Sequence, residues 1–257
     1  MEKEQIVEGP SHNKKSHAAV TQGGSAFQRY QDVIIGRRSL RTVVYYEWCM
    51  LLAIVPGALG LVLRKKFWPK IFGSCGKGVL FASNVIVRHP HRIHLGDNVV
   101  ISENCVLDAR NDEMERTIVI GEDAILSNNV IISCKGGTVR VGARTGVGAQ
   151  TIIQSTNDCP VDIGEDVMIG PMCYMVGGGN YNIDRIDIPM RLQGIKKDSG
   201  VRLDDGVWLG AKVMVLGGVS MGHGSVAAGG AVVTKSVCSY AICGGLPAKV
   251  IRMRTEG

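Results

Sequence analysis

Aliphatic side chains recur every six residues at Leu95, Ile101 and Leu107, then Ile120, Leu126 and Ile132, then Val141, Val147 and Ile153, then Ile163, Ile169 and Met175, and again from Leu203 through Leu209, Val215, Met221 and Ala227 to Val233. A period of six fits neither the 3.6-residue turn of an α-helix nor the two-residue alternation of an ordinary strand. Four residues after the aliphatic position stands a small or β-branched side chain, as at Val99, Cys105, Ala124, Val130, Thr145, Thr151, Val167, Val207, Val213, Val219, Ser225 and Ala231. Both columns must face inward. Glycine commonly follows the aliphatic residue (Gly96, Gly121, Gly142, Gly148, Gly164, Gly170, Gly210, Gly222), as expected where a short strand meets a corner with close backbone approach. Three hexapeptides then close one triangular coil. Coils stack through parallel backbone hydrogen bonds, each inward aliphatic on its equivalent in the next. The pattern predicts an all-β solenoid, a parallel β-helix of hexapeptide repeats, over residues 79–257.

The register fails between Met175 and Leu203, where a loop insertion at about 176–202 reads VGGGNYNIDRIDIPMRLQGIKKDSG. A long loop on a rigid repeat is where function concentrates. Upstream, residues 26–78 read as helical, with an uncharged run from Trp48 to Leu63. That run is shorter than the roughly 20 residues a spanning helix needs, and Pro56-Gly57 breaks it. The basic cluster Arg64, Lys65, Lys66 beside Phe67 and Trp68 suits anionic headgroups. Two readings of 45–72 stand open: a broken hairpin dipping into one leaflet as a peripheral membrane contact, or a helical cap over the open end of the solenoid. Residues 1–25 are polar, lack apolar periodicity and read as a disordered tail, with His12 and His17 solvated.

Thirty-four glycines against four phenylalanines fit a tight-cornered repeat better than a compact globule. The formal charge of +6 comes from scattered basic residues without an aromatic-plus-basic motif, so nucleic acid is not the expected partner and phosphates or a membrane surface are. Eight cysteines form no CxxC pair, and Met1-Glu2-Lys3-Glu4 is no secretory signal. The expectation is reduced thiols in the cytoplasm.

Two stretches, DDGVWLGAKVMVLGGVSMGHGSVAAGGAVVTKSV (204–237) and YAICGGLPAKVIR (240–252), resemble the hexapeptide-repeat acyltransferases of the maltose, galactoside and xenobiotic acetyltransferase type. The resemblance covers roughly residues 79–254; the N-terminal helices resemble a membrane-associated subset more loosely. It implies a left-handed coil, a homotrimer with active sites in clefts between neighbouring solenoids, acetyl-CoA (acyl-CoA) as co-substrate, and a sugar or glycolipid acceptor. Positions matching the family's cofactor-binding segment are Gly210, Ala211, Gly229, Thr234, Lys235, Pro247, Ala248, Lys249 and Arg252, and Trp208 matches a tryptophan that borders the active site. Small residues let a pantetheine chain approach the backbone, and Lys235, Lys249 and Arg252 can meet phosphates. The competing reading is that the glycines only turn corners and the basic residues only solvate the terminal coil.

The family places a general-base histidine in the inserted loop, yet the aligned Gly179-Asn180-Tyr181-Asn182 has none. A positioned base contributes about 10² to 10⁴ in rate, and a tyrosine with a pKa of about 10 replaces it poorly. Three explanations stand open. Asp184 or Asp187 serves as base if burial raises its pKa, with Asn180 and Tyr181 orienting the acceptor; a histidine elsewhere reaches the cleft, either His223 in Gly222-His223-Gly224 or one of His89, His91 and His94; or the protein binds without catalysing. The expected function is acetyl transfer from acetyl-CoA to a hydroxyl or amine of a sugar, polysaccharide precursor or glycolipid at the inner face of the cell membrane. The alternatives are a non-catalytic trimeric scaffold at the membrane, or a γ-carbonic-anhydrase-like zinc protein. Histidine placement argues against zinc, since His223 is the only histidine between Leu95 and Gly257, and no metal is expected.

Overall fold

The computed structural model describes residues 24–111 and 114–256. Almost all of the expected N-terminal tail, with His12 and His17, lies outside the described residues. Each coil contributes one short strand to each of three parallel sheets, and about seven turns build a left-handed β-helix. The first sheet runs from Ser74–Cys75 and Ile93–Leu95 to Val201–Leu203 and Val219–Met221, the second from Leu80–Phe81 to Val226–Ala227, and the third from Ile86–Arg88 to Val232–Val233.

Every six-residue aliphatic named above is buried, and register stacks them in files. Leu107, Ile132, Ile153, Met175, Val215 and Val233 pair successively in the third sheet. The small column is buried as well. Each enclosed Leu or Ile contributes about 1.5–3 kcal/mol of transfer free energy. Inward pairs of columns from three sheets therefore make one continuous apolar shaft.

Close approach, not backbone freedom, explains the corner glycines. A Cβ on Gly96 would lie 2.6 Å from the Glu122 nitrogen, and one on Gly142 would lie 2.2 Å from the Gly164 carbonyl oxygen. The left-handed residue falls two positions later, at Asn98 (φ 54°), Asp123 (φ 56°) and Asp166 (φ 55°), a conformation that Asn and Asp tolerate best after glycine.

The solenoid begins at Ser74, a few residues before the expected start at 79. Cys75, Phe81 and Val87 keep the six-residue spacing and pair with Leu95, Ile101 and Leu107. A cysteine and a phenylalanine at aliphatic positions hid this coil. Phe81 is aromatic for a reason, because it stacks on Phe72 (5.3 Å, 4°) and meets Trp68 at 5.2 Å.

Those rings belong to the N-terminal segment: α1 (Ala26–Tyr30), a π-helical turn Gln31–Ile35, α2 (Leu40–Ala53), α3 (Gly57–Phe67) and a 3₁₀ turn Trp68–Ile71. Its inner face caps the open end of the shaft. Trp68 Nε1 donates to the Cys49 carbonyl, and Tyr46 Oη donates to the Val87 carbonyl at 2.7 Å. Arg64, 1% exposed, donates to the carbonyls of Phe81, Leu52 and Val55, tying α3 to the end of α2 and to the first coil. The outer face leaves Leu40, Val44, Trp48, Leu51, Leu59 and Val62 exposed. Among the described residues no helix is long and apolar enough to cross a membrane. The cap is thus observed on one face, while the apolar surface needed for a leaflet contact lies on the other.

The outside of the prism is uneven. Outward positions of the first sheet are mostly polar (Ser74, His94, Arg140, Asp162, Arg202, Ser220). Those of the second include Leu80, Val100, Ile125, Met168 and Trp208, and those of the third Ile86, Val106, Ile131, Ile152 and Met214. At the far end the chain folds back as an antiparallel hairpin, Ala241–Gly245 with Ala248–Met253, added to the second sheet.

Candidate active site

The insertion leaves the third sheet after Tyr174–Gly177 and rejoins the first at Val201–Leu203, so it overhangs the edge between them. Asn180–Tyr181 pairs antiparallel with Ile195–Lys196. Glycine is required at its two roots: a Cβ on Gly178 (φ 74°) would lie 2.3 Å from the Thr156 carbonyl oxygen, and on Gly200 (φ 79°) 1.9 Å from that of Pro160.

One carboxylate joins the roots. Asp198 accepts from the Gly178 backbone at 3.1 Å, from the Gly200 backbone at 2.8 Å and from Asn180 Nδ2 at 3.3 Å. It also sits on the next corner, where a Cβ on Gly217 would meet its Oδ2 at 2.0 Å. Further out, the Gln193 side chain accepts from the Arg185 backbone at 3.0 Å and donates to the carbonyls of Arg185 and Ile188. The loop is therefore tied by its own polar groups. Sequence reasoning missed Asp198; its place two residues before a returning glycine was the available signal.

Tyr181 and Asp184 are exposed on this loop. Asp187 is exposed and ion-paired with Arg185, whose guanidinium hydrogen bond holds its carboxyl below the usual carboxylate range. Burial has not raised it, contrary to what a base there would need. His223 lies on a different edge, between the first and second sheets, edge-on to the Tyr240 ring at 5.4 Å and 83°. Within one chain His223 and the inserted loop are not brought together. His89, His91 and His94 sit at the opposite end beneath the helices: His89 Nε2 is 2.9 Å from the Asp32 carbonyl oxygen, and His94 Nδ1 is 2.9 Å from Ser74 Oγ.

The residues matched to the donor segment occupy two edges. Gly210-Ala211 and Gly229 form the corner between the second and third sheets, where a Cβ on Gly210 would lie 2.6 Å from the Gly229 nitrogen and the Gly230 N–H donates to the Ala211 carbonyl. The terminal hairpin continues this edge, with Ala248 opposite Gly245, Lys249 opposite Gly244, and Pro247 in the turn between them; Arg252 pairs with Ile242 further along. Trp208, 49% exposed, stands outward on the second sheet between Met168 and Val226. Thr234 and Lys235 are instead exposed on the edge that carries the inserted loop.

Among the described residues no three His, Cys, Asp or Glu side chains are grouped to hold a metal ion. The eight cysteines form no disulfide, and only Cys238 is exposed. Burial pushes the thiols of Cys49, Cys75 and Cys105 up to about 11.

Comparison with known proteins agrees with this architecture. The family model for the hexapeptide repeat of succinyl-transferase matches residues 74–109 and 200–235. A probable acetyltransferase of Mycobacterium tuberculosis is 30% identical over 168 residues, 63% of this chain and 55% of the relative. A galactoside O-acetyltransferase of Lactococcus lactis is 31% identical over 137 residues, 52% of this chain and 61% of the relative. The chain thus spans little more than half the length of these curated relatives. The UDP-N-acetylglucosamine acyltransferase of Campylobacter jejuni, at 16% identity, superposes with a TM-score of 0.52 over 71% of each chain, a likeness of fold. With matched repeats in the first and last coils and one shared solenoid, the chain carries the hexapeptide repeat and is similar to acetyltransferases over part of their length.

Proposed function

We propose that this protein transfers an acyl group, acetyl as the working case, from acyl-CoA to a hydroxyl or amine of a sugar or sugar-bearing lipid. The observation that carries the reading is the stacked small-residue corner Gly210, Ala211 and Gly229, continued by a hairpin that bears Lys249 and Arg252. A thin pantetheine arm fits against backbone where side chains are lacking, and the two cations suit its phosphates. The acceptor oxygen or nitrogen attacks the thioester carbonyl, the C–S bond breaks, the acceptor proton passes to a base, and CoA leaves as a thiolate that takes up a proton. Asp184 and His223 are the candidates for that base, with Asn180 and Tyr181 orienting the acceptor. The sugar acceptor class draws on the galactoside O-acetyltransferase relative.

Homotrimer formation is part of the proposal, supported by the apolar outer columns of the second and third sheets beside a polar first sheet. A cyclic heterologous contact would cover both apolar columns at once and place a neighbour's loop near Trp208. Peripheral contact with a membrane through 45–72 is also part of it, supported by the apolar outer face of α2 and α3 and by Lys65 and Lys66 beside it.

The test is release of CoA thiol from acetyl-CoA with a panel of sugar acceptors, repeated on Tyr181→Phe, Asp184→Asn and His223→Ala. Loss of turnover in either of the last two at unchanged donor binding names the base; full activity in all three discards the assignment. One observation favours a second reading, a non-catalytic trimeric scaffold: the loop has no histidine and Asp187 is tied down by Arg185. That reading gains if millimolar acetyl-CoA leaves the melting temperature unchanged, because a ligand that prefers the native state must raise it.

A further inference from the structure

We propose that the N-terminal cap carries an anion site that takes a phosphate group, separate from the donor edge and independent of whether the protein transfers acyl groups. A cavity of about 240 Å³ lies where α2 meets the first coil, and Arg37, Arg41, Thr42, Tyr45, Lys70 and His91 line it. That is smaller than the roughly 300–1,000 Å³ of a cofactor cleft, and suits an anionic head more than a whole coenzyme.

Its charge is one-sided. Among the described residues no Asp or Glu lines it and Arg37, Arg41 and Lys70 enter no ion pair, whereas neighbouring Arg38 binds Asp32 at 2.6 Å. Converging cations repel unless an anion sits among them. The helix adds to this: α2 has no acidic residue in its first turn and the Ser39 side chain does not cap it, so the positive end of its dipole is uncompensated beside Arg41 and Thr42. The guanidiniums of Arg37 and Arg41 are groups that bind a tetrahedral oxyanion in two-pronged fashion, and the Lys70 ammonium adds a compact positive charge.

The walls are built rather than incidental. Tyr45 Oη donates to the Phe67 carbonyl and Tyr46 Oη to that of Val87, which orient both rings of α2. Across the cavity, the turn that carries Arg37 lies directly on two imidazoles. A Cβ on Gly36 (φ 75°) would lie 2.7 Å from His89 Cγ and 2.8 Å from His91 Cε1, and the His89 backbone N–H donates to the Ile34 carbonyl. Glycine at 36 thus lets Arg37 reach the rim. The same helix exposes Leu40, Val44, Trp48 and Leu51, so a lipid headgroup and a soluble phosphate ester are both sources of the anion.

The experiment uses the full chain in phosphate-free, low-salt buffer. One arm titrates inorganic phosphate and glycerol 3-phosphate by calorimetry; the other sediments the protein with phosphatidylcholine vesicles with or without phosphatidic acid. Saturable binding in either arm is expected, weakened about tenfold or more by combined Arg37→Gln, Arg41→Gln and Lys70→Gln, and unchanged by the charge-matched Lys77→Gln, Arg116→Gln and Lys135→Gln, all exposed and away from the cavity. Binding confined to phosphatidic acid vesicles identifies a headgroup, and equal binding of the soluble esters identifies a free phosphate compound. Absence of saturable binding in both arms, or equal weakening by the control triple, overturns the proposal. Should the first triple fail to fold, Lys70→Gln alone must abolish the phosphate-dependent rise in melting temperature.

Discussion

Gly60→Ala should destabilise the protein, although helix propensity alone says the opposite. Gly60 lies inside α3, where alanine is normally better by about 0.8–1 kcal/mol. Here the added methyl would stand 1.9 Å from the Val55 carbonyl oxygen and 2.7 Å from Arg64 Nη1. That nitrogen donates to the Leu52 and Val55 carbonyls at 2.9 and 2.7 Å. Hydrogen bonds to a charged group are worth about 1.5–3 kcal/mol each, so displacing two costs about 3–6 kcal/mol. Less the propensity gain, the net loss is about 2–5 kcal/mol. Urea unfolding should show a lower midpoint at unchanged slope, and amide exchange should quicken first in α2 and α3. Arg64→Met should act in the same direction, and the double variant should cost less than the sum because both perturb one set of bonds. A Gly60→Ala protein as stable as the parent, or more so, would refute the claim that Arg64 fastens the cap.

Ile132→Ala, in a central coil with no exposed surface, should cost about 2–5 kcal/mol by thermal or urea unfolding. Asp198→Asn should loosen the inserted loop, read as faster tryptic cleavage near Lys196 and Lys197 with little change in melting temperature. A thiol reagent at pH 8 should modify Cys238 rapidly and the other cysteines only after denaturation, since burial holds Cys49, Cys75 and Cys105 up at about 11. Arg144 hydrogen-bonds Asp166 and holds its folded pKa below the ordinary value; such a group adds stability above the unfolded pKa and loses it as pH falls through the folded one. Arg144→Gln should therefore flatten the acid limb of the melting curve below about pH 4 by a small amount, since both side chains are exposed.

The solenoid was legible because its physics is periodic: an inward position must be apolar in every coil, so Ile101, Leu126, Val147, Ile169 and Leu209 announce one another. The coil at 74–88 escaped because its inward positions answer to the cap, where Phe81 stacks on Phe72. Arg64 reads as one of a basic cluster facing headgroups, yet it is buried, because the carbonyls it satisfies belong to residues set far back or ahead in the chain. The candidate site was legible only as a list of residues. Which edge each occupies depends on coil position, and this separates His223 from Tyr181 and sets Thr234 and Lys235 apart from Gly210.

Parallel coils end in open hydrogen-bonding rims, and a rim that matches its own underside invites endless head-to-tail growth into fibres. Both rims are spoiled here. At one end the first coil abuts helices, and at the other the strand Ala248–Met253 runs against the grain and carries Lys249 and Arg252. A chain cut before Ala241, keeping every repeat, would still lose this stopper, and the length of the assembly would then be set by concentration instead of by the sequence.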